Sequence, residues 1–124
     1  MKLHLESASA QNAFTGYGEG YVSVNGARYE TSVVVLPGRI LADWPPSSFE
    51  ALAPEHFVAL AGLDLEIILL GTGGKLRFPK PEILAPLIRA GVGVEVMDLQ
   101  AACRTYNILM AEGRKVAAAL LIER

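Results

Sequence analysis

The chain has 124 residues, which suits one domain around one core. Hydrophobic residues make up 52% and charged residues 19%, a balance that excludes a disordered chain. With 11 basic against 13 acidic residues the net charge is −2, which excludes a global attraction to nucleic acid or anionic lipid.

Residues 1–14 read MKLHLESASAQNAF. They contain Glu6 and no long apolar stretch, so they make a poor secretion signal. No apolar run in the chain approaches the roughly 20 residues of a membrane span. Cys103 is the one cysteine, so no internal disulfide can form, which fits a reducing compartment. The expectation is a soluble, cytoplasmic, single domain over residues 1–124.

From Gly16 to Ala42 the chain reads as β. Asn25-Gly26 is a strong hairpin signal, because both positions tolerate positive φ. A two-residue turn there sets Val24 opposite Ala27 and Val22 opposite Tyr29, with all four side chains on one face. The second strand is expected to run on through Val33 to Leu36 into a turn at Pro37-Gly38, with a short third strand from Ile40 to Ala42. Ser47, with Glu50 three residues on, forms a capping-box pattern that starts a short helix. Pro54 breaks or restarts it, and Phe57 and Leu60 have the spacing to face inward from Glu55 to Ala61.

The second half alternates strand and helix. Leu65 to Leu70 reads as a strand, whose continuous apolar end, Ile67 to Leu70, suggests burial on both faces. Pro81 to Ala90 reads as a helix with Pro81 in its first turn. Pro86 inside it predicts a late start or a kink. Val92 to Met97 is the next strand, so a right-handed parallel crossover is expected. Asp98 caps the most regular helix, Leu99 to Glu112, which Gly113 closes. Leu99, Ala102, Cys103, Tyr106 and Met110 form its apolar stripe. Val116 to Ile122 is the last strand.

Between the first of these strands and its helix lies Gly71-Thr72-Gly73-Gly74-Lys75-Leu76-Arg77. A dinucleotide fingerprint would need a third glycine where Leu76 stands, and a helix that begins inside the motif. A phosphate-binding P-loop would need Ser or Thr after Gly74-Lys75, where Leu76 stands. Neither nucleotide motif is present, and no cofactor is expected. Two readings of Gly71, Thr72, Gly73, Gly74 and Lys75 remain: backbone geometry at the exit from a sheet, or a loop whose N–H groups bind a small anion beside Lys75, Arg77 and Lys80. On the last helix Arg104 and Asn107 share a face with Thr105 close by, and could grip a carboxylate or phosphate. Equally, Arg104 could pair with Glu112 or Asp98, and Asn107 could bond a neighbouring loop. An anion pocket shared by the loop and this helix requires the two to meet in space.

Nothing else assembles a reaction. His4 and His56 are the only histidines, and neither neighbours Cys103 or a glycine-flanked serine. Cys103 on the apolar stripe reads as a core cysteine. No clustered spacing suits a metal, and the carboxylates are scattered singly. Trp44, Phe49 and Phe57 read as packing residues. The sequence leans away from an enzyme without deciding the matter.

The order of several short motifs resembles one small domain family. They are Gly16-Tyr17-Gly18, Trp44, Gly71-Thr72-Gly73 after an apolar strand, Val94 to Asp98, Arg104 to Leu109, and Glu112 to Leu120. That family has no established biochemical function; it includes the mitochondrial complex I assembly factor 3 and a mammalian adipogenesis-associated protein. Leu99 stands where members often carry threonine after the aspartate. The resemblance implies a single three-layer α/β domain with a mixed β-sheet, an N-terminal β-hairpin region and a C-terminal βαβαβ region. It brings no catalytic residues. It implies a binding or assembly module with a protein partner, with self-association left open; charge, ligand spacing and hydropathy lead to the expectation of no nucleic acid, no metal and no membrane insertion. A role in respiratory-complex assembly follows from it only by analogy of fold.

Overall fold

Asn25 and Gly26 adopt φ of 53° and 85°, the double left-handed turn that their side chains permit. The computed structural model describes residues 11–123, so the reading of the N-terminal segment as a poor signal, and His4, lie outside the described residues. The turn joins β2 (Tyr21–Val24) to β3 (Ala27–Tyr29), with Val22 opposite Tyr29 and Val24 opposite Ala27 as the spacing predicts. β1 (Phe14–Gly18) pairs antiparallel with the other side of β2 and completes a three-stranded sheet.

The second strand does not run on to Leu36. It stops at Tyr29, and β4 (Val33–Leu36) joins a different sheet. Burial explains the break. Val33, Val34 and Val35 are fully buried on both faces, whereas Ala27 and Arg28 are exposed. One strand cannot serve an outer hairpin and a doubly covered centre at once. Ser32 turns the corner: its hydroxyl accepts from the Ile122 N–H (3.0 Å) and its carbonyl accepts from the Trp44 N–H (2.9 Å).

The larger sheet has five strands in the order β5-β4-β8-β6-β7, with β5 (Arg39–Leu41), β6 (Ile67–Gly71), β7 (Gly93–Met97) and β8 (Val116–Leu120). β6 pairs parallel with both β7 and β8, while β4 pairs antiparallel with β5 and β8. The sheet is therefore mixed. The expected capping box does not form at Ser47. Ser48 caps instead, accepting from the Ala51 N–H (3.3 Å), and the element is a single 3-10 turn, Phe49–Ala51, ended by extended Leu52 before Pro54.

Three α-helices follow: α1 (Glu55–Ala61), α2 (Pro81–Arg89) and α3 (Leu99–Ala111). α2 starts at Pro81 rather than late. Pro86 is tolerated within it, and its ring is buried. Its missing N–H would have served only the carbonyl of exposed Glu82 in the first turn. The Asp98 carboxylate caps α3, accepting from the Ala101 N–H (2.8 Å).

The β6-α2-β7-α3-β8 run crosses the sheet in opposite directions with helices on opposite faces, so its two crossovers share one hand. One face of the sheet, with Leu69, Val116, Ala118 and Leu120, packs on Ala102, Cys103 and Tyr106 of α3 and on Phe14, Val22 and Val24 of the small sheet. The other, with Ile68, Leu70, Ala117 and Ala119, packs on Phe57 and Leu60 of α1 and Leu87 of α2. The result is three layers. Alanines at 117–119 in the central strand let both outer layers approach closely.

Candidate functional site

The glycine loop leaves the carboxyl end of β6, where open α/β sheets place their ligands. Gly71 is there because two neighbours press on it. A Cβ would lie 2.7 Å from Leu120 Cδ2 and 3.2 Å from Ala102 Cβ. Gly73 turns the chain at a φ of +87°.

Several polar groups of this loop are spent within the fold, although the buried Nε of Arg77 makes no hydrogen bond among the described residues. The buried Thr72 hydroxyl donates to the Lys75 carbonyl (2.6 Å) and accepts from the Arg77 N–H (3.1 Å). The Thr72 N–H donates to the Met97 carbonyl (2.9 Å). Arg77 Nη2 donates to the Thr72 carbonyl (2.6 Å) and to Glu123 Oε1 (2.7 Å). Glu123 Oε2 accepts from the Phe49 N–H (2.7 Å), and the guanidinium carbon lies 4.8 Å from the centre of the Phe49 ring. Burial pushes the Glu123 carboxyl up, but the Phe49 N–H and the Arg77 bond and charge outweigh it and hold the group below its ordinary value.

The loop meets α3 only at that helix's first turns. The Leu99 N–H donates to the Gly73 carbonyl (2.8 Å), and Gly71 abuts Ala102. Arg104 lies two residues past Ala102, about 200° around the helix, so it faces away. Two cavities of about 230 and 350 Å³ border Gly73 and Gly74. Neither is lined by Arg104, Thr105 or Asn107, and their charged walls are the carboxylates Glu19, Asp98 and Glu123. The structure thus does not bring the two halves of the expected anion pocket together. Beside Gly73, the Glu123 carboxylate is already paired with Arg77.

Each half has its own place. Gly71, Thr72 and Gly73 are buried, whereas Gly74 and Lys75 are exposed. Asn107 clamps β1 to α3: Oδ1 accepts from the Phe14 N–H and Nδ2 donates to the Phe14 carbonyl, both at 2.9 Å. Tyr106 closes the same seam by donating its hydroxyl to the Asn12 carbonyl (2.9 Å). Thr105 is half-buried, and Arg104 is exposed with no ion pair among the described residues. The partners expected for it are not engaged, and Asp98 serves the helix cap. Cys103 is buried, and burial pushes its thiol up to about 12 despite the nearby Arg104 charge.

Sequence reasoning placed Arg77 beside an anion loop but passed over Glu123, the carboxylate it pairs with. They stand 46 positions apart, and the one available signal was a carboxylate just past the last strand. Trp44 packs edge-on to Phe57 (5.7 Å) and donates its indole N–H to the His56 carbonyl (3.3 Å). A cavity of about 580 Å³ beside it is lined by Glu30, Asp43, Ser47 and Ser48, without a histidine or cysteine. Among the described residues no group of histidine, cysteine and carboxylate side chains is gathered to hold a metal ion. No helix among them is long and apolar enough to cross a membrane.

Residues 14–121 match the family described as "Protein of unknown function (DUF498/DUF598)". The chain belongs to this family. Its curated members include the NADH dehydrogenase [ubiquinone] 1 alpha subcomplex assembly factor 3 of Bos taurus, 33% identical over 96% of this chain. The chain spans 65% of that protein's length. A second relative, the 13 kDa major membrane protein of Francisella tularensis, is 29% identical over 98% of this chain and 99% of its own. The crystal structure of a Bordetella parapertussis protein superposes with a TM-score of 0.84 at 44% identity, covering 91% of this chain and 97% of that one. The family thus includes complex I assembly factors, while the biochemical function of the shared domain is unknown.

Proposed function

We propose that this domain is a binding module that works through protein contact, without bond-making of its own, in the assembly of a respiratory NADH dehydrogenase. The observation that carries this reading is the kinship with assembly factor 3 over 96% of the chain. The glycine loop supports it from the chemical side. Its hydroxyl, the Arg77 Nη2 and the facing helix terminus bond within the fold, and carboxylates line the cavities beside it. We place the protein in the cytoplasm, where an unpaired buried Cys103 stays reduced.

Co-purification tests the reading. The tagged full chain, expressed at native level in its own host and cross-linked before lysis, is expected to bring down NADH dehydrogenase subunits or their assembly intermediates. Recovery of those subunits no greater than from an untagged control would contradict it.

A further inference from the structure

β7 ends the five-stranded sheet, and no strand among the described residues pairs with its outer side. Its bonds to β6 alternate. The Gly93 N–H donates to the Glu66 carbonyl and the Met97 carbonyl accepts from the Thr72 N–H, so residues 93, 95 and 97 face β6. The N–H and C=O groups of Val94 and Val96 therefore point away from the sheet, and no bond to them is made among the described residues. α2 covers one face of β7, while α3 packs on β6 and β8. Glu95, on the α3 side, is exposed and has no ion pair among the described residues.

We infer that the β7 edge is a docking surface for an extended segment of a protein partner, one that places Lys or Arg opposite Glu95 and β-branched residues opposite Val94 and Val96. This rests on the reading of the domain as a protein-binding module. An antiparallel segment would exchange both backbone bonds with Val94 and again with Val96. Glu95 then falls at the non-hydrogen-bonded position between them, where facing side chains approach most closely and opposite charges attract. The same charge selects against a second copy of this chain. A two-fold pairing that overlaps all of β7 sets Glu95 against Glu95, the kind of charge that guards natural sheet edges. β5, the other edge, spans only Arg39–Leu41.

The probes are two capped peptides, Thr-Val-Lys-Val-Thr and Thr-Val-Glu-Val-Thr, added to the isotope-labelled full chain. The lysine peptide is expected to shift and slow exchange of the Val94 and Val96 amides, with an affinity roughly two- to fivefold above the glutamate peptide. Glu95→Lys is expected to reverse that preference, and Glu95→Gln to abolish it, with the rest of the amide spectrum unchanged. Equal response to both peptides, response confined to residues away from β7, or none, would overturn the proposal. The two readings fail separately. Capture of NADH dehydrogenase subunits by wild type and Glu95→Lys alike would sink the edge and spare the assembly role. Peptide discrimination without such capture would do the reverse.

Discussion

At the scale of single residues, Asn107 and Arg104 carry opposite weights although they sit three apart on one helix. Asn107 satisfies the backbone N–H and C=O of Phe14. Asn107→Ala leaves both groups without that partner and is expected to cost about 1–3 kcal/mol in denaturant unfolding. Arg104 is exposed and engages nothing among the described residues. Arg104→Ala is expected to stay within about 0.5 kcal/mol of wild type and to leave any phosphate effect on Tm unchanged. A phosphate-induced rise in Tm that vanishes in Arg104→Ala would restore the anion reading of this helix. The chemistry of both residues was legible in the sequence, but their assignment was not. An amide suits a ligand and a neighbouring backbone equally well, and only the position of β1, 93 residues upstream, decides between them. Asp98 was legible because its partner, the Ala101 N–H, is three residues away.

At the scale of elements, local signals predicted what local geometry controls. Asn25-Gly26 set both the turn and the register of its hairpin. The break between β3 and β4 was not local. Val33 lies opposite Leu120, and no short-range pattern announces that pairing. The expected capping box failed for a related reason: Ser47 and Ser48 offer equivalent caps, and Pro54 leaves room for one turn only. Gly71 shows how an element junction constrains a residue that the sequence shows merely as part of a glycine loop. Gly71→Ala sets a methyl 2.7 Å from Leu120 Cδ2 and 3.2 Å from Ala102 Cβ. The Leu120 side chain can yield, whereas Ala102 is fixed to its helix. The expected cost is about 1–3 kcal/mol, read as a lower denaturation midpoint with an unchanged slope. Gly74→Ala, where a Cβ meets nothing within 4 Å, is the matched control.

At the scale of the whole molecule, Arg77 and Glu123 bind the glycine loop to the chain just past the last strand. The Glu123 carboxyl is held below its ordinary value of 4.5 in the folded state. A lowered carboxylate stabilises the fold above its unfolded-state value, and that stabilisation is lost as pH falls through the lower folded value. Acid unfolding is therefore expected to flatten below about pH 4.5 in Glu123→Gln relative to wild type. Parallel profiles for the two proteins would show that this ion pair contributes nothing in solution.

The proposed assembly role rests on kinship with assembly factor 3. Blue-native electrophoresis of NADH dehydrogenase, in cells lacking this gene and in the same cells given back the full chain, tests that account most directly. The account predicts that the assembled complex falls and partial assemblies accumulate without the chain, and that the chain restores the wild-type pattern. An assembled complex at wild-type level in the deleted cells would contradict it.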